Sequence, residues 1–177
     1  MRTAIGISPH TGWAACVVVG GSLAKPVIVA NEVIDILGDD ERFCFHMAAE
    51  MSLPEARAWL PKVRKKAIAN ARRALAPLLG PDVVACAIVA KAGAALPIEK
   101  ALDTHAGLHS AEGNLFRDVL IEACTVPVTL VAPRSLVVTG VGKLAPPPWG
   151  RDQKLAAVAA WGLLQGSGAK VKPARPR

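Results

Sequence analysis

The sequence predicts an α/β domain built on a mixed five-stranded sheet with helices on both faces. Short apolar runs near the amino terminus are separated only by turn residues, which is typical of antiparallel strands. The run "VVACAIVA" is continuously hydrophobic, as a buried parallel strand is. Later apolar runs alternate with helical segments, which commonly join parallel strands. At 177 residues, the chain has the length of one domain.

The amino-terminal elements are predicted to form three neighbouring antiparallel strands. Residues 3–8 and 13–20 are rich in Val, Ile and Ala, and the intervening "SPHTG" contains the turn formers Pro and Gly. A second turn, "GGSLAKP", leads to the third strand, "VIVANEVIDIL". We expect the next segment, "GDDERFCFHMAAEMSLPEA", to be irregular or partly helical.

The remaining elements are predicted as helix, strand, helix, strand and helix. A long helix spans residues 54–79, is bent or restarted at Pro61, and has one apolar face. That face consists of Val63, Ala67, Ile68, Ala71, Leu75 and Leu78. After the fourth strand we expect a helix over residues 98–123, interrupted near Gly107, then a strand in "VPVTLVAP" and a helix in "DQKLAAVAAWGLL". The fourth and fifth strands should run parallel to the first.

The composition argues against a membrane protein. Hydrophobic residues make up 52% of the chain and mean hydropathy is +0.35, yet no apolar run approaches the roughly 20 residues that span a bilayer. The amino-terminal "MRTAIG" is too short for a signal peptide. The four cysteines form no Cys-x-x-Cys pair, so we expect at least three to be buried small hydrophobes in a reducing compartment. These features predict a soluble cytoplasmic protein with no membrane partner.

Positive charge is concentrated at the carboxyl terminus. The net charge is +7, and the four cations of residues 167–177, with no acid among them, leave +3 on residues 1–166. Basic segments that contain Pro are typically flexible and bind polyanions weakly. We therefore divide the chain into a folded domain, residues 1–166, and a basic flexible tail, residues 167–177.

Two segments carry a resemblance to a known family. The strand opening "IGISPHTGW" and the stretch "VPVTLVAPRSLVVTGVGK", together with the element order, resemble the RuvC-type Holliday-junction resolvases of the RNase H-like superfamily. The resemblance covers most of residues 4–165 and is most specific in residues 128–135 and the Gly-x-Gly loop that follows. It implies an RNase H-like fold, a homodimer, and an endonuclease in which carboxylates of the first strand, the fourth strand and the last helix hold two Mg²⁺ ions.

The carboxylates that the resemblance implies for the strands are missing in this chain. Ser8 matches the acid of the first strand, and His10 stands where the family usually has Gly. The Glu of the fourth strand matches Ala87, Val89 or Lys91, depending on the register. Two neighbouring cations need several negative ligands. The resemblance therefore implies a degenerate site that does not assemble metals in the manner of the family.

One of the four implied carboxylates is retained, on the last helix. Asp152 matches the first acid of that helix, whereas Leu155 stands where a second acid would follow. Asp152 has two interpretations. It is a suitable helix N-cap, or it lies in a cleft where Lys91, at the end of the fourth strand, can pair with it.

Two other groups of residues have spacings that occur in catalytic or metal sites. His105 and His109 are four residues apart on the second predicted helix, and Glu112 follows three residues later. The segment lacks the Glu beside the first His that zinc proteases require, and its two glycines weaken the helix, so we favour a polar helix face. Ser8 and His10 share one face of a strand but have no identifiable orienting partner. We predict no metal site and no cofactor.

The long helix carries a strongly basic face opposite its apolar face. Six cations occur in twelve residues without an acid: Lys62, Arg64, Lys65, Lys66, Arg72 and Arg73. Like charges on one helix repel one another unless a polyanion offsets them. We predict that all of these cations except Arg64 contact the phosphates of DNA or RNA.

The sequence leaves three functions open. The favoured one is a RuvC-like protein without the acid cluster that binds nucleic-acid phosphates and does not cleave them. The alternative is an enzyme that acts on a small molecule in the cleft at the carboxyl ends of the strands, near Ser8, using His10, Lys91 and Asp152. The third is a structural or assembly protein that uses the segment "ERFCFHM" as a contact.

Overall fold

The computed structural model describes residues 1–22, 25–138 and 144–166. The elements are β1 (Thr3–Pro9), β2 (Trp13–Ser22), β3 (Lys25–Asp35), α1 (Cys44–Ala49), α2 (Leu53–Leu75), β4 (Val83–Val89), α3 (Ile98–Asp103), α4 (His105–Ala123), β5 (Val128–Val131) and α5 (Arg151–Leu164). The predicted tail, residues 167–177, lies outside the described residues. Among the helices that are described, none is long and apolar enough to cross a membrane.

The strands form a mixed sheet in the order β3-β2-β1-β4-β5. β2 pairs antiparallel with both β1 and β3. β4 pairs parallel with both β1 and β5. The turn between β1 and β2 contains Gly12, whose φ of 86° lies in the left-handed region that glycine adopts most easily. The predicted pairing of the five strands is confirmed.

Helices cover both faces of the sheet and bury separate apolar cores. On one face, β1 and β4 pack against α1, α2 and α4. This core includes Ile5, Ile7, Ile88, Val63, Leu75 and Phe116. On the other face, α5 packs through small residues. That core includes Ala4, Val17, Val19, Ala156, Ala157 and Ala160. The predicted fold class is therefore confirmed.

The close approach of α5 to β1 depends on Gly6. A Cβ atom at this position would lie 1.8 Å from the carbonyl oxygen of Ala156, far inside contact distance. α5 therefore crosses β1 at a point where no side chain separates them. This packing brings the first turn of α5 next to the carboxyl end of β1.

Helix α2 is not restarted at Pro61, and it ends earlier than predicted. It begins with a capping box, in which the Ser52 hydroxyl and the Glu55 carboxylate each accept a hydrogen bond from the other residue's backbone N–H. It continues through Pro61, which is exposed, so water can reach the carbonyl of Arg57 that proline leaves without a donor. The helix ends at Leu75, earlier than the predicted residue 79.

The predicted helix over residues 98–123 is divided into α3 and α4 at Thr104. The hydroxyl of Thr104 accepts a hydrogen bond from the backbone N–H of Gly107 at 3.0 Å and so caps α4. The interruption therefore lies three residues before the glycine near which it was expected. β5 has four residues and is shorter than the apolar run that predicted it.

The cysteines are mostly buried, as expected. Cys16, Cys44 and Cys86 are buried, and Cys124 is partly exposed. Burial and, to a smaller extent, the nearby carboxylate of Glu112 together raise the pKa of Cys44 to about 12. Cys44 therefore carries a neutral thiol that packs as a small hydrophobic side chain.

Candidate functional site

Three polar side chains meet where the carboxyl end of β1 contacts the first turn of α5. Ser8 is 5% exposed, and its hydroxyl donates a hydrogen bond to Oδ1 of Asp152 at 3.3 Å. His10 follows β1, and its Nε2 lies 3.0 Å from the same oxygen. Three of the four cleft residues proposed from the sequence therefore lie together.

Asp152 is not the N-cap of α5. The N-cap is Gly150, whose backbone N–H donates a hydrogen bond to Oε1 of Gln153 at 3.0 Å. Asp152 lies in the first turn, where the helix dipole favours negative charge. Its carboxylate is therefore not needed for capping and contacts Ser8 and His10 instead.

The β1–β2 hairpin positions the ring of His10. The backbone N–H of His10 donates to the carbonyl oxygen of Trp13 at 2.8 Å. The imidazole stacks on the indole of Trp13, with ring centroids 4.1 Å apart and an interplanar angle of 4°. Nε2 is buried and, despite its distance of 3.0 Å from Asp152, has no aligned hydrogen bond. Stacking, rather than hydrogen bonding, therefore orients this ring.

The order of these contacts does not match a nucleophilic triad. In such a triad, the histidine lies between the serine and the acid and removes the serine proton. Here Asp152 lies between Ser8 and His10, and both approach the same carboxylate oxygen. The described contacts include no hydrogen bond from Ser8 to His10. The arrangement therefore does not activate Ser8 as a nucleophile.

The fourth strand contributes only apolar side chains to this region. Ile7 of β1 pairs with Ile88 of β4, so the next residues, Ser8 and Val89, lie side by side. Val89 and Leu155 belong to the core beneath α5 and are 5% and 8% exposed. Of the four positions where the family resemblance implies a carboxylate, only that of the first turn of α5 carries one.

Lys91 does not join the cluster. It lies beyond β4 and is exposed, and its backbone carbonyl accepts a hydrogen bond from Nη1 of Arg117 at 3.2 Å. In the described part of the chain, Lys91 forms no ion pair with Asp152. The small-molecule enzyme considered above needs His10, Lys91 and Asp152 to converge, and the structure brings only two of them together.

Acids from other elements neutralise part of the basic face of α2. Arg64 pairs with Glu122 of α4 at 2.6 Å, and Arg72 lies 3.8 Å from the same carboxylate. Lys66 pairs with Glu41. Residues 62–73 contain no acid, yet three of the six cations have an acidic partner elsewhere in the chain. A count of charges along α2 misses both acids because they lie on other parts of the chain.

Three cations of α2 have no acidic partner among the described residues. Lys62, Lys65 and Arg73 are exposed, and Arg73 donates a hydrogen bond to Oδ1 of Asn70 at 3.0 Å. Lys65 also lines a cavity of about 390 Å³ between α2 and Glu122 of α4. Positive charge that no acid of the described residues neutralises therefore lies along the solvent side of α2.

A second polar cluster joins His46, which the sequence places only in the contact segment "ERFCFHM", to the histidines of α4. The ring of His46, on α1, lies 5.3 Å from that of His105 and 4.8 Å from that of His109, centroid to centroid. Glu112 is fully buried beside them. The spacing of the three α4 residues was visible in the sequence, whereas the contribution of His46 requires the packing of α1 on α4.

Comparison with solved structures identifies the fold. RuvC of Thermus thermophilus in complex with Holliday junction substrate matches with a TM-score of 0.60 and 16% identity, covering 98% of this chain and 100% of that chain. A second structure of T. thermophilus RuvC matches with a TM-score of 0.52 at the same identity and coverage. No protein-family model matches the sequence, and no match is found among curated proteins. The chain therefore has the RNase H-like fold that is seen in RuvC.

Proposed function

We propose that this protein binds the phosphate backbone of nucleic acid along the solvent side of α2 and does not cleave it by two-metal catalysis. The observation that carries this proposal is the set of exposed cations Lys62, Lys65 and Arg73, which have no acidic partner in the described part of the chain. Cations of this kind bind phosphates with little dependence on base sequence, because they interact with charge alone.

The ion pairs on neighbouring turns of α2 help to organise this surface. Glu122 holds the guanidinium groups of Arg64 and Arg72 beside the cavity that Lys65 lines. Side chains that are already positioned lose less conformational entropy when a ligand binds. Nη2 of Arg72 donates a hydrogen bond to the backbone carbonyl of Glu122 at 3.4 Å, and the other N–H groups of the guanidinium remain available to a phosphate. Lys66, whose charge Glu41 neutralises, contributes less to phosphate binding.

The structural neighbours support nucleic acid as the class of ligand. One of them is a RuvC bound to a Holliday junction substrate, and this chain shares its fold over 98% of its length. The family resemblance in the sequence implies a homodimer, in which a second copy of α2 would double the cationic surface. Neither DNA nor RNA is favoured by the described contacts, so the experiment below includes both.

The proposed absence of cleavage depends on the charge at the end of β1. Two Mg²⁺ ions about 4 Å apart repel each other strongly unless several carboxylates surround them. Here the neighbouring positions carry the hydroxyl of Ser8 and the apolar side chain of Val89, and the Asp152 carboxylate already accepts a hydrogen bond from Ser8. One carboxylate does not supply the negative charge that a pair of divalent ions requires.

The test compares two triple variants that remove equal charge from the same helix. The first removes the unpaired cations by Lys62→Ala, Lys65→Ala and Arg73→Ala. The matched control removes the paired cations by Arg64→Ala, Lys66→Ala and Arg72→Ala. Affinity for duplex DNA and for single-stranded RNA is measured by fluorescence anisotropy across salt concentrations. On duplex DNA each phosphate contact contributes about 0.9 to the log–log slope, so the first variant should flatten it by roughly two to three units and the control by about one at most.

Affinity should fall similarly for different base sequences, because phosphates rather than bases are contacted. The proposal fails if the wild-type protein binds neither nucleic acid at low salt, or if the first variant keeps the wild-type slope. Truncation after residue 166 separates the tail from the folded surface. If truncation alone abolishes binding while the first variant binds normally, the tail is the binding element. Cleavage in Mg²⁺ or Mn²⁺ would refute the second half of the proposal.

A further inference from the structure

We propose that His46, His105 and His109 bind one divalent transition-metal ion, with Zn²⁺ as the best match, and that Glu112 orients two of the three ligands. The site lies where α1 packs on the amino-terminal half of α4, on the face of the sheet opposite α5. It shares no residue with the cluster at the end of β1 or with the basic face of α2. The inference therefore stands independently of the proposed function.

The three imidazoles already converge. Each has a ring nitrogen within 4.8 Å of a ring nitrogen of the other two. His105 and His109 are one turn apart on α4, and their Nε2 atoms are 2.9 Å apart. With Zn–N distances of about 2.0–2.1 Å, a tetrahedral zinc ion holds its nitrogens roughly 3.3 Å apart. Small side-chain rotations are therefore enough to bring all three residues around one ion.

The contact between His105 and His109 is one that a metal ion would replace directly. Two neutral imidazoles that meet through Nε2 need one nitrogen to carry the proton and the other to accept it. A metal ion between them accepts both lone pairs, and that proton moves to Nδ1 of its own ring, so both histidines bind as neutral ligands. Both side chains are exposed, so an ion can reach them from solvent.

The buried carboxylate of Glu112 is an independent indication that this site accommodates a cation. Its side chain is 1% exposed, and Oε1 accepts a hydrogen bond from Nδ1 of His46 at 2.8 Å. Oε2 is buried and has no hydrogen-bond partner among the described residues, and it lies 3.9 Å from Nδ1 of His109. A buried carboxylate oxygen without a partner is unfavourable. A cation held by the neighbouring histidines would supply the positive charge that this oxygen lacks.

Glu112 also determines which nitrogen of each histidine faces the metal. Because a carboxylate accepts the proton of Nδ1, the lone pair of His46 is on Nε2. His109 has the same arrangement, with Nδ1 toward Glu112 and Nε2 toward His105. If Nδ1 of His109 moved about 1 Å closer to Oε2 of Glu112, the two atoms would form a hydrogen bond. Carboxylates that orient histidine ligands in this way are common at zinc sites.

The donor set selects the class of metal. Three imidazoles suit Zn²⁺, Cu²⁺ and Ni²⁺, whereas Mg²⁺ and Ca²⁺ prefer oxygen ligands. The side chains of His46 and His109 are 29% and 54% exposed, so a fourth position remains open to water, as in catalytic rather than structural zinc sites. The positive end of the α4 dipole disfavours a cation here, and the carboxylate of Glu112 supplies the opposing charge.

The test measures zinc binding to the untagged full chain by isothermal titration calorimetry with ZnCl₂, and by the absorption spectrum of Co²⁺ as a substitute. One ion per chain is expected. The double variant His105→Gln/His109→Gln removes two exposed ligands and should abolish saturable binding. The chain has four histidines, so His10→Gln is a matched control that removes the histidine outside the site and should leave zinc affinity unchanged. Glu112→Gln should weaken binding about 10- to 100-fold.

Circular dichroism establishes whether each variant folds. If the Glu112→Gln protein does not fold, the zinc affinity of the double histidine variant tests the site, because its substitutions are at the surface. Absence of saturable binding by the wild-type chain would overturn the proposal. Wild-type affinity in the double variant, or loss of binding in His10→Gln, would overturn the assignment of the site. Unchanged affinity in a folded Glu112→Gln protein would overturn the orienting role of the carboxylate.

Discussion

Replacing Gly6 by alanine is expected to disrupt the packing of α5 on the sheet. The added Cβ would lie 1.8 Å from the carbonyl oxygen, 2.5 Å from the carbonyl carbon and 3.0 Å from the Cα of Ala156. All three are backbone atoms, so no side-chain rotation relieves the clash. Because ordinary contact begins near 3.4 Å, the oxygen must move away by about 1.6 Å, and α5 moves with it.

A displacement of this size weakens the whole contact of α5 with the sheet. The atoms concerned belong to Ala4, Val17, Val19, Ala156, Ala157 and Ala160. A gap of about 0.5–1 Å already removes a quarter to a half of the dispersion energy between packed atoms. Overpacking typically lowers the free energy of unfolding by about 1–3 kcal/mol. Because backbone atoms clash here, we expect a loss at the upper end of this range or above it. A loss of about 3 kcal/mol lowers the Tm of a chain of this length by roughly 6–12 °C.

Thermal and urea denaturation followed by far-ultraviolet circular dichroism measure this loss. The matched control is Gly113→Ala in α4, where an added Cβ would meet no atom within 4 Å. The free energy of unfolding of this control should rise by about 0.5–1 kcal/mol, because alanine is the better helix former. If the free energy of unfolding of the Gly6→Ala protein were within about 0.5 kcal/mol of the wild-type value, α5 would not cross β1 as described.

Two further predictions concern the polar groups at the ends of β1 and α2. The Ser8→Asp variant is expected not to bind Mg²⁺ or Mn²⁺ between β1 and α5 and not to cleave DNA, because β4 still lacks a carboxylate ligand. Anomalous scattering from Mn²⁺ at this position, or metal-dependent cleavage, would contradict this expectation. Ser52→Ala should lower the free energy of unfolding by about 1 kcal/mol. Hydrogen bonds from the hydroxyl and then from the backbone N–H of Ser52 lower the pKa of Glu55. The stability that this carboxylate contributes is therefore complete above the unfolded-state pKa of Glu55. It is lost as the pH falls through the lower folded-state pKa. The difference between wild type and Ser52→Ala, measured by urea denaturation from neutral to acidic pH, should therefore shrink in acid, and a constant difference would refute this linkage.

The order and pairing of the elements could be predicted from local patterns. The turn "SPHTG" is too short to join anything but antiparallel neighbours, and helices between the later strands require parallel crossovers. Element ends were predicted less well. Whether Pro61 breaks a helix depends on whether it faces solvent, and that depends on the packing of α2. The local pattern therefore determines the type of each element better than its limits.

The chemistry of the candidate site could be predicted only in part. The replacement of the implied acid by Ser8 is visible in the sequence. The role of Asp152 is not, because its contact with Ser8 requires α5 to approach β1 over the bare backbone of Gly6. Lys91 was placed in the same cleft by its position after β4, and the structure does not pair it with Asp152. The position of a residue just after a strand predicts which end of the sheet it lies at. It does not predict the direction in which a long side chain such as that of Lys91 points.

Local sequence patterns are enough to predict the α/β element order, and the residues themselves show that the strand positions implied by the family resemblance carry no acid. The pairing of Glu122 and Glu41 with cations of α2, and the approach of His46 to His105 and His109, follow from the way these elements pack together. The physical reason is common to these cases. Each contact joins elements that are distant along the chain and meet only when they pack on the same face of the sheet, whereas sequence spacing reports neighbours within one element.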